Sequence, residues 1–325
     1  MVKAARIVIG IAISAVFAWA TLSRVDLPAA AQAMSRAALP GVAIAFALAW
    51  LEIAVRAWRW RFLLSSLGKV SYGRAFAYTC VGYFANTLLP MRLGEFARAY
   101  LAASAMRLSR LATLGSIVTE RVADGVTIVA IAAGLGLVVS GASVPGPQVF
   151  LAIGCVALFV AVGILVPRCR QVLASLIPAK VRGVADSLIR GAEAAKTPSS
   201  AATIVGSTLV AYACSVGAML AVAGAVGLHL TVIQAAFAMS WIALSTAIPA
   251  APGSVGTYEF VGVGVLTLLG QDPASSLAVV VLLHLLGSAP VAIVGLIITW
   301  ALHVRVWTLE TGSAPAPEPA VQAAA

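Results

Sequence analysis

The stretch Asn86–Arg98, NTLLPMRLGEFAR, constrains this chain more than any other. It sets Asn86, Pro90, Arg92, Gly94, Glu95 and Arg98 inside a long apolar region. A charge at the bilayer centre costs about 2.5–3.5 kcal/mol on insertion scales, so Arg92, Glu95 and Arg98 would cost on the order of 8–10 kcal/mol if left unpaired among lipid tails. Such side chains must pair with one another or line a polar cavity, and either arrangement marks a working site. Composition settles the surroundings: 62% of the residues are hydrophobic, 10% are charged, and the mean hydropathy is +1.03. Soluble domains carry about 25% charged residues. Unbroken apolar runs without alternation select membrane-spanning helices over a barrel.

The formal net charge of +10 is read as Lys and Arg gathered in cytoplasmic loops, not as a nucleic-acid footprint. Cys80, Cys155, Cys169 and Cys214 are scattered with no C-x-x-C pair, so no metal, cofactor or disulfide is expected. His284 stands in an apolar run and is read as a hydrogen-bonded packing residue.

The first apolar run, Met1 to Leu22, is read as a retained helix with a cytoplasmic N-terminus; the alternative is a signal cleaved near Ala18-Trp19-Ala20. Ser23 to Leu39 reads as a polar external loop, and a span over about 40–60 ends in a positive cluster at Arg56, Arg59 and Arg61. Between Arg74 and Arg107 only 32 residues (75–106) are available, and two full crossings need about 40. The economical solution is a re-entrant hairpin of two half-helices meeting at Leu89–Arg92; the alternative is one tilted, Pro-kinked span. Residues 111–139 form the next span and carry Glu120, Arg121 and Asp124. Glu120 and Asp124 share one helix face and need a cation between them, from Arg121 or Arg92. The reading without function is an ion cluster that locks the hairpin to this helix.

Residues 149–166 are read as a span, and 168–200 as a basic amphipathic helix at the inner membrane surface or a plain linker. A span over about 201–226 leads to a second interrupted run: 232–248, then PAAPGSVGTYE from Pro249 to Glu259, then a short arm to Gly270. The last span covers about 275–303, and 306–325 is expected to be a disordered tail.

The two interrupted runs correspond, each with a half-helix, a proline, a glycine-containing turn, a glutamate and a second short arm. The expected fold is therefore an all-α polytopic membrane protein, one transmembrane domain over 1–305. It has about six full spans plus two re-entrant hairpins, with residues 40–139 repeated in inverted orientation as 201–303. Paired broken segments point to a transporter's midplane site. Half-helix N-termini after Pro90 and Pro252, with the Arg92 and Arg98 donors, suit an anionic headgroup, and Gly94, Gly253 and Gly256 let backbone approach it. Three arginines face four carboxylates in this reading: Glu95, Glu120, Asp124 and Glu259.

At NTLLPMRLGEFAR, ERVAD (Glu120–Asp124) and PAAPGSVGTYE the chain resembles the lysylphosphatidylglycerol synthase transmembrane-region family of lipid flippases, over about 40–303. The resemblance implies functional positions at Asn86, Pro90, Arg92, Gly94, Glu95, Arg98, Glu120, Arg121, Pro252, Gly253, Gly256 and Glu259; Asp124 and Pro249 complete the candidate substrate-binding set. It implies a multi-pass protein of the bacterial inner membrane, and the placing of Lys and Arg puts both termini in the cytoplasm. Its partners would be membrane lipids with an anionic or phosphate-bearing headgroup, and a lipid-modifying enzyme is a candidate second partner. Two departures stand out. No aminoacyl-transferase domain follows, so the chain is expected not to synthesise a lysyl lipid, and Ser254 stands where a second glycine is expected. The leading expectation is a lipid flippase or transporter and not an enzyme. The alternatives are a membrane enzyme, or enzyme subunit, acting on a polyprenyl-phosphate lipid, which turnover of a nucleotide sugar would reveal, and an ion-coupled small-solute carrier, which lipid-free ion flux would reveal.

Overall fold

The computed structural model describes residues 2–89, 93–140, 179–248 and 250–301. Within them the chain is helical, with no strand. Eleven α-helices follow in order: α1 Val2–Leu22, α2 Leu27–Ser35, α3 Leu39–Leu64, α4 Tyr72–Leu88, α5 Gly94–Met106, α6 Arg110–Ser140, α7 Ala179–Gly191, α8 Pro198–Val226, α9 Val232–Ser245, α10 Thr257–Leu268 and α11 Pro273–Ala301. The span expected at 149–166 and the tail lie outside the described residues.

Helix ends follow the sequence. Ser71 caps α4, Thr197 followed by Pro198 starts α8, and Thr231 with Gln234 forms a reciprocal capping box on α9. Gly227, at φ +90°, ends α8 in the left-handed region where a side chain would be strained. One expectation is corrected at this level. Residues 23–39 are not simply a loop, because α2 lies inside them: Asp26 accepts the Ala29 N–H at 3.0 Å and Pro28 occupies the first turn. The α1–α2 bend is 86°.

Three helices, α3, α8 and α11, are long and apolar enough to cross a membrane, and α1 with α2 forms a bent apolar pair. Leu39, Leu268 and Trp300 are more than three-quarters exposed, the outer apolar surface of a protein solvated by lipid. Inside, Met219, Val222, Ile242, Leu266, Val279 and Val280 fill a core among α8, α9, α10 and α11. Trp60, Leu64, Tyr78, Ala102 and Ile117 fill another among α3, α4, α5 and α6.

Helix pairs meet through small residues, as expected where lipid supplies no hydrophobic drive. A Cβ on Gly41 of α3 would lie 2.7 Å from the Ala221 carbonyl oxygen of α8, and one on Gly295 of α11 would lie 2.4 Å from that of Cys80 in α4. The packing is also crossed: α4 lies on α11, α9 lies on α6, and α3 lies on α8. Of the basic helix expected over 168–200, residues 168–178 lie outside the described residues, and 179–191 form α7, which is seated on α6. A Cβ on Gly115 would lie 2.1 Å from the Leu188 carbonyl oxygen, and one on Gly191 2.1 Å from that of Ala112.

Candidate functional site

Both interrupted runs are broken where the prolines and glycines fall. The α4 helix stops at Leu88, Leu89 is extended, and α5 starts at Gly94; Pro90, Met91 and Arg92 lie outside the described residues. The two arms touch at Gly94, where a Cβ would come within 2.5 Å of the Asn86 backbone nitrogen and the Gly82 carbonyl oxygen. Gly82 in turn leaves room for the Arg98 side chain, whose Cβ and Cδ would sit 3.0 Å from any Cβ there. In the second run α9 stops at Ser245, a single 3-10 turn covers Pro252–Ser254, and α10 starts at Thr257; Pro249 lies outside the described residues. Gly253, Ser254 and Gly256 take φ of +71°, +58° and +89°. The serine in place of a second glycine therefore adopts the left-handed backbone that favours glycine.

Four arginines and four carboxylates gather where α3, α5 and α6 meet. Arg59 is 1% exposed and donates to Asp124 Oδ1 at 2.6 Å, Asp124 Oδ2 at 3.1 Å, Glu120 Oε1 at 3.2 Å and Thr208 Oγ1 of α8 at 2.5 Å. Arg56 bridges Glu52 Oε1 at 2.8 Å and Asp124 Oδ2 at 3.1 Å, and the Ser215 hydroxyl donates to the other Glu52 oxygen at 2.6 Å. Arg121 donates to Glu120 Oε1 at 2.8 Å and lies 3.4 Å from Glu95 Oε1 and 3.5 Å from Asp124 Oδ2. Arg98 is the least satisfied. It is 3% exposed, its one carboxylate contact among the described residues is Glu120 Oε2 at 3.4 Å, and its Nε, like those of Arg59 and Arg121, has no hydrogen-bond partner among them. Its guanidinium lies 3.7 Å over the Trp60 ring, whose own N–H is fixed by Ser116 Oγ at 3.2 Å. Burial of this many ions is tolerable because each lies against at least one of opposite charge.

Beside this network lies a cavity of about 500 Å³. One wall is ionic: Glu52, Arg56, Glu95, Arg98, Arg121 and Asp124, with Tyr83 and Asn86. The other is largely apolar: Met239, Ile242 and Leu244 of α9, Tyr258 of α10, and Leu283 and Leu286 of α11. Arg59 and Glu120 stand behind the ionic wall and brace it. Asn86 Oδ1 on the cavity wall is buried without a hydrogen-bond partner among the described residues.

Among the expected residues, Asn86, Gly94, Glu95, Arg98, Glu120, Arg121 and Asp124 come together here. Glu259 does not join them, which corrects the expected count of three arginines against four carboxylates. It accepts the Gly256 N–H at 2.7 Å and faces His284 Nδ1 at 2.5 Å, so Pro252, Gly253, Gly256 and Glu259 form a second locus on the far side of the cavity. Glu52 stands outside the expected set, and Arg56 and Arg59 face this site, where the positive-inside rule places them in an open cytoplasmic cluster. The available signal was their spacing: Glu52, Arg56 and Arg59 stand at i, i+4 and i+7 on one helix face.

Long apolar helices packed around a charge-walled cavity define a polytopic helical membrane protein. The model of the family described as the lysylphosphatidylglycerol synthase TM region matches residues 7–295, and the chain belongs to that family. The match runs from α1 through most of α11 and includes both breaks. No curated protein matches the chain.

Proposed function

We propose that this protein translocates a phosphate-bearing lipid across the bacterial inner membrane, by alternating exposure of a cavity shared between two inverted repeats, without covalent chemistry. The observation that carries this reading is the two-sided cavity. An amphiphile presents an anion and an acyl chain, and the cavity sets an arginine-bearing wall opposite an apolar one. Arg98 is the group poised to receive the anion. Its Nε–H has no partner among the described residues, its carboxylate contact is long, and Glu120 retains Arg59 and Arg121 if Arg98 turns to a headgroup.

The repeat reading is supported by element order and pairing. Helices α3, α4, α5 and α6 have 26, 17, 13 and 31 residues, and α8, α9, α10 and α11 have 29, 14, 12 and 29. The packing exchanges equivalent elements: the first arm of each break lies on the last helix of the other half, and the two leading helices lie on each other.

The test is lipid translocation in proteoliposomes, read as loss of a fluorescent phospholipid's protection from an external quencher. Arg98→Gln removes the charge but keeps donors, and charged hydrogen bonds contribute about 1.5–3 kcal/mol, so the rate should fall roughly tenfold to a hundredfold. The variant should still elute as a folded monodisperse species. An unchanged rate would refute the reading.

A further inference from the structure

The second locus contains an arrangement that a lipid site does not need. His284 of α11 is held between two acceptors: Nδ1 lies 2.5 Å from Glu259 Oε1, and Nε2 lies 2.9 Å from the Gly253 carbonyl oxygen. A carbonyl can only accept, and so can a carboxylate. A neutral imidazole has one N–H, so beside a carboxylate it can satisfy only one of these contacts. The other would set a nitrogen lone pair against an oxygen lone pair. The observed geometry therefore requires one more proton than a neutral histidine and an ionised glutamate carry between them. Whether that proton rides on Nδ1 or on Oε1, the bookkeeping is the same.

The extra proton has a mechanical consequence. Gly253 belongs to the second break, and the hydrogen bond to its carbonyl ties that break to α11. The other Glu259 oxygen receives the Gly256 N–H at 2.7 Å. The same two residues thus fasten both ends of the left-handed turn between Gly253 and Gly256. On its outer side the turn is held by α1, where the Ser14 hydroxyl accepts the Ala251 N–H at 2.8 Å. Side chains of His284 and Glu259 are 15% and 16% exposed, so the site is sheltered but reachable. Tyr258 stacks on the imidazole at 4.2 Å and lines the cavity, which places the pair one ring away from it.

Among the described residues, the other ionisable groups near the pair lie on its own helix or across the cavity. Tyr258 comes from its own side on α10, and across the cavity stand Glu52 and Arg56 of α3, Tyr83 of α4, Glu95 and Arg98 of α5, and Arg121 and Asp124 of α6. The packed helices α2, α8 and α9 carry no charged side chain, and the charged residues of α1, Lys3 and Arg6, precede Ser14 by eight or more positions in the sequence.

We propose that Glu259 and His284 form a proton-binding site whose occupancy fastens the second break to α11 and whose emptying releases it. The proton leaves to water by way of the cavity, and the Gly253 carbonyl loses its donor. This site is independent of which solute the cavity takes.

The decisive variant is Glu259→Gln. A glutamine amide can donate to His284 Nδ1 and accept the Gly256 N–H at once, so it reproduces the fastened state with no extra proton. His284→Ala removes the fastening altogether. Amide hydrogen exchange over residues 250–257 of the full chain in lipid nanodiscs, corrected for intrinsic exchange, reads the outcome at about pH 6 and about pH 9. In the unmodified protein, protection should fall about tenfold between the two, the effect of one lost charge-assisted hydrogen bond. Glu259→Gln should stay protected at both and His284→Ala at neither. Equal protection of the unmodified protein at both pH values, or a Glu259→Gln variant that loosens like His284→Ala, would overturn the proposal. Neither result bears on lipid translocation by Arg98, which is measured separately.

Discussion

Around the first break, side chains from several helices carry the organisation: Arg59 alone reaches Glu120 and Asp124 of α6 and Thr208 of α8. Around the second break, backbone conformation carries it, with three positive-φ positions among the four residues 253–256 and one carboxylate to hold them. The first arrangement binds separate helices into one rigid wall. The second leaves a short segment whose hold on its neighbours depends on very few bonds. Wall and short segment face each other across the cavity, and the proposed transport would work one against the other.

Breaking the wall should have the largest effect. Arg59→Met leaves Asp124 and Glu120 buried with one fewer cation, and removing one partner of a buried ion pair costs about 3–5 kcal/mol. Chemical unfolding in detergent should register that loss, and adding Asp124→Asn to the same chain should recover part of it. If the single variant unfolds like the parent, the network is not what holds α3 to α6.

Next in size is a contrast between two glycines. Gly94→Ala forces a Cβ against backbone at 2.5 Å, an overlap that costs about 1–3 kcal/mol, and it should spread the arms of the first hairpin. At Gly253 an added Cβ meets only Val255, at 3.8 Å, so Gly253→Ala has space and suffers only from φ +71°, about 1–2 kcal/mol. Crosslinking between cysteines placed on α4 and α5 should fall in the first variant and persist in the second. The smallest effect belongs to Ser254→Gly. It relieves a non-glycine residue at φ +58° but adds freedom to the unfolded chain, so stability should rise by less than about 1 kcal/mol. Thermal unfolding that shifts downward would show that the Ser254 side chain matters more than its backbone.

Much of this was legible in the sequence. The cost of intramembrane charge exposed the ionic wall, and Pro and Gly punctuation located both breaks, because those signals are local. Arg56 and Arg59 were hidden by a rule that is usually sound: arginines at the end of an apolar run are read as facing the cytoplasm. Only the facing carboxylates of α6 reveal that they point inward, and that contact spans more than sixty positions of sequence. The Glu259–His284 pair was equally beyond reach, since the two residues belong to different helices and neither spacing nor composition joins them. By contrast, α2 was available from Asp26 and Pro28 and was passed over because the surrounding residues are polar.

The crossed packing of α4 on α11 and α9 on α6 has a last consequence. Each half of the molecule has lent an arm to the other, so neither can tilt as a separate block without dragging a piece of its counterpart along. Gly295 against Cys80 makes one of these joints nearly backbone to backbone. A tug on the Glu259–His284 clasp, delivered to α11, is therefore passed straight to α4 and so to the floor beneath Arg98.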